Sequence, residues 1–94
     1  MLDIKFKSDN DLLLTGRFDA SQEQKALEFF ARIDHSVEVD CQGLEYISSV
    51  GIGALLFTQK RLNDTGHRLS LKSLNPHIME IFRLAGFDTI FEIK

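Results

Sequence analysis

Five short segments with strand character alternate with three segments of helical spacing along this 94-residue chain. The first segment places Leu2, Ile4 and Phe6 on one face, as in a half-buried strand. Residues 8–11 have the composition of a turn, so the first two strands should form a hairpin. The predicted strands are residues 2–7, 12–18, 36–41, 67–73 and 89–94, and the predicted helices are residues 21–33, 48–63 and 75–85.

This order, β-β-α-β-α-β-α-β, restricts the topology, because a strand-helix-strand unit makes a right-handed crossover between parallel strands. We therefore expect an α/β fold in which one mixed sheet has an opening antiparallel hairpin, followed by βαβ units with helices packed on the sheet. The length allows one core, so residues 1–94 are predicted to form a single domain. Sites in such sheets form at the carboxyl ends of parallel strands. We expect Asp40, Ser48 and Ser49 to lie there, in one strand-to-helix connection.

Composition excludes several classes of function. The net charge is −3 and the lysines and arginines form no basic run, so nothing predicts a nucleic-acid interface. No apolar run has the length of a membrane span or the form of a signal peptide. The single cysteine, Cys41, allows no intramolecular disulfide, as in a reducing compartment. We therefore predict a soluble cytoplasmic protein without a membrane partner, and a monomer, since no heptad pattern or long exposed apolar strand is evident.

Apart from Ser48 and Ser49, few side chains are candidates for metal binding or catalysis. His35, His67, His77 and Cys41 show no metal-ligand spacing, so we predict no metal and no cofactor. Cys41 is interpreted as a small buried side chain at a strand end. The eight phenylalanines are assigned mostly to core faces, with Phe29 as the one possible exception.

Two adjacent serines, Ser48 and Ser49, precede the second predicted helix. A serine there is most often an N-cap, whose oxygen accepts a hydrogen bond from a free backbone N–H and stabilises the helix by about 1 kcal/mol. If Ser48 is the cap, Ile47 and Ile52 occupy the two positions of a hydrophobic staple. If Ser49 is the cap, those positions fall on Ser48 and Gly53, and no staple forms. We therefore predict that Ser48 is the cap and that Ser49 is the first helical residue, with an uncommitted hydroxyl.

An uncommitted hydroxyl at a helix N-terminus is suited to phosphorylation. The free N–H groups and the positive end of the helix dipole tolerate a phosphate. The modification adds roughly −1.5 to −2 charges at one surface point. Gly51 and Gly53 weaken the first turns of the helix. We interpret them as positions of close backbone packing, inside the fold in preference to packing against a partner.

Three segments give the chain a resemblance to the STAS domain family, which occurs in anti-sigma factor antagonists and sulfate transporters. TGRFDA (15–20) is similar to the family's G-x-[LF]-D-x segment after the second strand. VDCQGLEYISSVGIGALL (39–56) is similar to its signature, in which a strand ending in Asp is followed by a short loop, a Ser-Ser-x-Gly or Asp-Ser-Ser-Gly tetrapeptide and a helix. LKSLNPHIMEIFRLAGFDTIFEI (71–93) resembles its last helix and strand. The three matches occur in the family's order and cover nearly the whole chain.

The resemblance implies a set of site residues. In the antagonists the phosphoacceptor immediately follows the signature's Asp or Ser, a position that Ser49 occupies here. Ser48 stands where many members have Asp, and Val50 stands where others have a second Ser. The implied partner-binding residues are Asp19, Ser21, Asp40, Ser48, Ser49, Val50, Gly51 and Gly53.

Two carboxylates are candidates to lie near Ser49, where they could orient its hydroxyl or accept its proton. Asp19 is predicted at the end of the second strand and Asp40 at the end of the third. The alternative is purely structural: Asp19 caps the first helix, while Asp40 merely ends a strand. Ser21 and Gln24 also fit a capping box for that helix.

The resemblance implies a switch that works by partner exchange. The unmodified antagonist binds a serine-kinase anti-sigma factor, which releases its sigma factor. The kinase, which binds the ATP, then phosphorylates the antagonist and weakens the complex, and a PP2C-type phosphatase restores it. The chain would be a substrate and not an enzyme.

Three other functional classes do not fit the sequence. A phospho-receiver domain needs an acidic pair after its first strand, which the hairpin leaves no room for. A serine hydrolase needs a base near its nucleophile and a G-x-S-x-G elbow, but the elbow is absent and the three histidines stand in no recognisable relation to Ser49. The GIG sequence at 51–53 lacks the third glycine of a dinucleotide fingerprint. Two alternatives stay open: an unphosphorylated STAS docking subunit of an ABC-type lipid transport complex, and a partner switch with an output other than a sigma factor.

Overall fold

The structure is a computed structural model that describes residues 1–94. The strands are β1 (Leu2–Ser8), β2 (Asp11–Phe18), β3 (Val37–Ile47), β4 (Leu69–Lys72) and β5 (Glu92–Ile93). The helices are α1 (Glu23–Phe30), α2 (Ser49–Asp64) and α3 (Pro76–Leu84), with short 3-10 turns at Ala20–Gln22 and Phe87–Thr89.

The five strands form one mixed sheet in the order β1-β2-β3-β4-β5. β1 and β2 pair antiparallel, and every later pair is parallel. The predicted topology is therefore confirmed. Since the strands from β2 onward are added in one direction, right-handed crossovers place α1, α2 and α3 on the same face of the sheet.

The two faces of the sheet differ in chemistry. Alternate residues of the strands, such as Leu12, Leu14, Val39 and Leu71, are fully buried in the core beneath the helices. The intervening residues form a polar face crossed by ion pairs. These pairs are Lys7–Asp40 at 2.7 Å, Lys72–Glu38 at 2.9 Å and Lys94–Glu38 at 2.6 Å.

β3 is longer than the sequence predicted. It continues from the predicted end at Asp40 through residues 42–47, for which the sequence predicts a loop. Two irregularities in the β2–β3 register absorb the extra residues on β3. Gly43 is needed inside this strand, because an added Cβ would lie 2.6 Å from Cγ2 of Thr15 on β2.

The helix ends are partly as predicted. Asn75 caps α3, with its Oδ1 accepting a 2.8 Å hydrogen bond from the Ile78 N–H, and Pro76 opens the helix. Gly86 follows the end of α3 with φ +80°, as expected of a helix-terminating glycine. α1 is shorter than predicted at both ends, and the predicted last strand is reduced to β5 by the 3-10 turn before it. None of the helices combines the length and apolar character needed to cross a membrane.

Candidate functional site

The candidate site lies where β2 and β3 end side by side. Phe18 and Ile47 are paired as the last residues of the two strands. The N–H of Ser48 extends this pairing by donating a 2.9 Å hydrogen bond to the Phe18 carbonyl oxygen. Asp19 and Ser48 therefore leave the sheet together, at the carboxyl edge predicted to carry the site.

Ser48 is the N-cap of α2, as predicted. Its backbone is extended, with φ −86° and ψ 170°, and its Oγ accepts a 3.2 Å hydrogen bond from the Gly51 N–H. Ile47 and Ile52, the two predicted staple residues, are both buried. The side chain of Ser48 is thus committed to the start of the helix.

Ser49 is the first residue of α2 and is exposed. Its hydroxyl makes no hydrogen bond within the chain. The side-chain hydrogen bonds near it join Ser21 to Asp19 and the Gly51 N–H to Ser48. The first-turn N–H groups that are not capped by Ser48 lie beside it, and they give this end of the helix its partial positive charge. The geometry therefore leaves one unengaged hydroxyl at a helix N-terminus.

Gly51 and Gly53 have different roles. A Cβ at Gly51 would lie 2.8 Å from Cγ1 of Ile47 and 2.9 Å from Cγ of Phe18, so this glycine allows α2 to rest on the strand ends. The predicted internal role is confirmed for Gly51, and its burial contradicts its assignment to a partner surface. Gly53 is exposed, and a Cβ there would meet nothing within 4 Å. The prediction of internal packing is therefore wrong for Gly53.

Asp19 is at the predicted strand end, but its carboxylate is bonded to Ser21 and not to Ser49. Its Oδ1 accepts hydrogen bonds from the Ser21 hydroxyl at 2.5 Å and from the Ser21 N–H at 3.1 Å. The hydroxyl bond is the main reason that the pKa of Asp19 lies below its usual value. Asp19 thus caps the 3-10 turn before α1. The predicted capping box of Ser21 and Gln24 is absent, because α1 begins at Glu23 and Gln22 occupies its N-cap.

Asp40 does not belong to the site, contrary to the prediction. It lies within β3, seven residues before the strand ends, which places it roughly 20 Å from the start of α2. Its side chain points to the polar face of the sheet, where Lys7 Nζ donates a 2.7 Å hydrogen bond to Oδ2. This bond is the main cause of the lowered pKa of Asp40, while burial opposes it. The sequence placed Asp40 at the strand end because residues 42–47 resemble a loop.

An open groove lies beside Ser49, between α1 and α2, and the sequence did not predict it. It has a volume of about 370 Å³ and is lined by Glu23, Leu27, Val50, Gly53, Ala54 and Phe57. Phe57 is 63% exposed, whereas the sequence singles out only Phe29 as a phenylalanine that could lie outside the core. We refer to these residues as the α1–α2 groove. The available signal was the spacing of Ser49, Gly53 and Phe57, one helical turn apart on one face.

Two further residues behave as inert structure. Cys41 is fully buried within β3, and burial raises the pKa of its thiol to about 12. Phe29, the one phenylalanine considered for exposure, is half-buried and lies 5.4 Å from the ring of Phe6. The chain contains no group of three or more His, Cys, Asp or Glu side chains arranged to hold a metal ion.

A family model described as "Mlab, STAS domain" matches residues 6–92. The chain belongs to the STAS domain family. Among curated proteins it is similar to BtrV of Bordetella bronchiseptica, which is provisionally named an anti-sigma factor antagonist. The two are 36% identical over 77 residues, which cover 79% of this STAS chain and 66% of BtrV. The chain therefore spans about two thirds of the length of that relative.

Two solved structures have the same fold. SpoIIAA, a Bacillus cell fate determinant solved in its phosphorylated form, superposes with a TM-score of 0.71 over 100% of this chain and 91% of its own, at 13% identity. A Thermotoga maritima protein, provisionally described as an anti-sigma factor antagonist, gives a TM-score of 0.79 over 98% and 84%, at 16% identity. At these identities the likeness establishes the STAS fold and leaves the function to be argued from the site.

Proposed function

We propose that residues 1–94 act as one STAS domain that serves as a phosphorylatable anti-sigma factor antagonist. In its unmodified form it binds a serine-kinase anti-sigma factor, which then releases its sigma factor. The kinase binds ATP, phosphorylates Ser49 and thereby weakens the complex. A PP2C-type phosphatase reverses the modification. The chain is the substrate of this cycle and acts in the cytoplasm.

The observation that carries the proposal is the difference between the two serines. Ser48 Oγ is bonded to the Gly51 N–H, whereas Ser49 Oγ is exposed and unengaged at the start of the same helix. A kinase can therefore reach Ser49 without breaking a hydrogen bond that the fold requires. The 36% identity to BtrV and the phosphorylated state of SpoIIAA support a phosphorylated antagonist of this type.

Charge explains why one phosphate would be sufficient for a switch. Roughly two negative charges would appear on the exposed first residue of α2, which the proposal places in the contact with the partner. An unpaired charge within a desolvated contact costs several kcal/mol and mainly raises the dissociation rate. The helix itself would tolerate the phosphate, because its N-terminus is the positive end of the dipole.

The test compares variants of Ser49 as baits for the kinase. Ser49→Ala should hold the kinase persistently in the presence of ATP, and Ser49→Glu should bind at least about tenfold more weakly, the loss expected from one buried charge mismatch. The captured protein is identified by mass spectrometry as an ATP-binding serine kinase, and its affinity for each variant is measured with purified protein. Equal affinities for the two variants would contradict the switch.

A matched control is available one residue away. Ser48→Asp keeps an N-cap, since Asp caps as well as Ser, and leaves Ser49 in place. This variant should still be phosphorylated, with the phosphate located on Ser49 by peptide mass spectrometry. Ser21→Ala should also leave the phosphorylation of Ser49 intact.

A second candidate function is favoured by the α1–α2 groove. Its open volume and the exposed Phe57, two turns along α2 from Ser49, would also suit a permanently docked subunit, such as a STAS subunit of an ABC-type lipid transport complex. In that case the unmodified chain purifies with a transporter ATPase, and Ser49→Ala and Ser49→Glu affect the complex equally. A serine kinase with a regulatory target other than a sigma factor would keep the switch and change only its output.

A further inference from the structure

One face of α2 carries a stripe of exposed residues, each about one turn from the next. These residues are Ser49, Gly53, Phe57 and Lys60, at spacings of four, four and three. Nothing in the chain covers them. The stripe runs along the edge of the α1–α2 groove, which Gly53 and Phe57 help to line.

The centre of this stripe combines a projection and an opening. Phe57 exposes 63% of its surface, so much of this large apolar side chain is available for burial against another molecule. One turn earlier, about 6 Å along the helix, Gly53 leaves open space above the backbone. A projection and an opening on one helix face can each receive the other when two copies of that face meet with their helices antiparallel.

We propose that α2 is also a self-association surface, on which two copies of this chain pair through antiparallel α2 helices. A twofold axis between Gly53 and Phe57 brings Phe57 of each copy into the α1–α2 groove of the other. Such an interface is isologous, so it closes as a dimer and does not extend into a filament. The two Phe57 rings then lie against each other near the axis.

Charge at the two ends of the stripe fits this arrangement. Glu23 is exposed on the groove wall at the Gly53 end, and Lys60 is exposed one turn beyond Phe57. Antiparallel pairing sets Glu23 of each copy against Lys60 of the other, so two pairs of opposite charges flank the apolar centre. Parallel pairing would instead place like charges together. Opposed helix dipoles favour the same direction.

The dimer would cover Ser49, which lies on the same stripe. The kinase-binding form would then be the monomer expected from the sequence, and the dimer would hold the chain in a form that the kinase cannot reach. This consequence rests on the proposed function. Self-association itself does not, because it involves no kinase and no phosphate, so the two proposals can fail separately.

Sedimentation equilibrium of the purified chain, at up to about 1 mM because the surface is small, tests the dimer. The wild type should shift from the mass of one chain towards that of two as its concentration rises. Phe57→Ser should raise the dissociation constant at least about tenfold, as expected for a central aromatic residue. Leu84→Ser removes an apolar side chain that is 82% exposed elsewhere, and should dimerise as the wild type does. A wild type that stays at the mass of one chain, or a Phe57→Ser variant that still dimerises fully, would overturn the proposal.

A charge exchange tests the antiparallel direction. Lys60→Glu and Glu23→Lys should each weaken the dimer, and the double variant should recover most of the wild-type association. Folding of every variant is checked by circular dichroism, and both sites are exposed, so misfolding is not expected. If the double variant is no tighter than the single ones, the two side chains do not face each other and the arrangement is wrong.

Discussion

The residues that the sequence assigns to the site lie in a small part of the chain but form two groups. One group contacts other residues of the protein, and the other does not. Asp40, Ser48 and Gly51 are engaged by the protein itself: Asp40 by Lys7, Ser48 by the Gly51 N–H, and Gly51 by the packing of Phe18. Ser49 and Gly53 have no such engagement and face outward. A family signature therefore combines residues that build the start of the helix with residues that the fold leaves free on the surface. Substitutions should separate the two by stability.

The largest difference is expected between the two glycines. Gly51→Ala places a Cβ within 2.8–2.9 Å of Ile47 and Phe18, and should lower the free energy of unfolding by about 1–3 kcal/mol through overpacking. Gly53→Ala meets open space and should raise it by up to about 1 kcal/mol, because alanine favours the helix. Urea unfolding of both variants at low protein concentration gives the comparison. Similar stabilities for the two would show that α2 can shift off the strand ends.

Asp40 should behave as a structural residue. Asp40→Asn removes a charge-assisted bond from Lys7 and should lower the free energy of unfolding at pH 7 by about 1–3 kcal/mol. The folded pKa of Asp40 lies below the reference value of 3.8, so its stabilisation is present above that pH and is lost as the pH falls through the folded pKa. The variant should therefore lose less stability than the wild type on acidification below about pH 4.

Urea unfolding between pH 2 and 7 measures this effect, and Asp3→Asn on the exposed part of β1 serves as the control. Phosphorylation of Ser49 should be the same in Asp40→Asn and wild type, since the two residues lie about 20 Å apart along β3. A loss of phosphorylation in a folded Asp40→Asn variant would return Asp40 to the site.

The two serines should differ by a smaller amount. Ser48→Ala removes the cap and should cost about 1 kcal/mol, whereas Ser49→Ala should change stability by no more than about 0.5 kcal/mol. Ser48→Asp keeps the cap and should remain near the wild type. The same urea titrations decide the outcome. A cost for Ser49→Ala equal to that for Ser48→Ala would mean that the two hydroxyls share the capping role.

The fold was largely predictable because hydrophobic period and crossover handedness leave few topologies. The cap was predictable for a similar reason, since only one of the two serines allows a staple. The length of β3 was not, because Gly43 resembles a loop residue and is in fact required by the close approach of Thr15. Because the predicted β3 ends too early, the prediction places Asp40 at the carboxyl end of the strand, whereas the residue lies within it. The exposure of Gly53 and Phe57 could not be predicted from the sequence either, because the helical period does not reveal how far α1 covers α2.

The smallest expected effect concerns the charge that would operate the switch. Ser49→Glu puts a carboxylate on the first residue of α2, next to the positive end of the helix dipole, and should raise the free energy of unfolding by about 0.3–1 kcal/mol at low salt. Asn63→Glu puts the same charge on the exposed last turn of α2 and should lower it by a similar amount. Both effects should shrink as salt screens them.

These two variants also separate two ways in which a phosphate could break a complex. If Ser49→Glu stays folded and slightly stabilised while it loses the partner, the charge acts at the contact surface, as the unengaged hydroxyl of Ser49 suggests. If Ser49→Glu instead loses more than about 1 kcal/mol, a negative charge there disrupts the start of α2. Binding would then be lost because the helix that presents the groove no longer forms. Ser49 would in that case belong with the residues that hold the fold together, and not with the outward-facing ones.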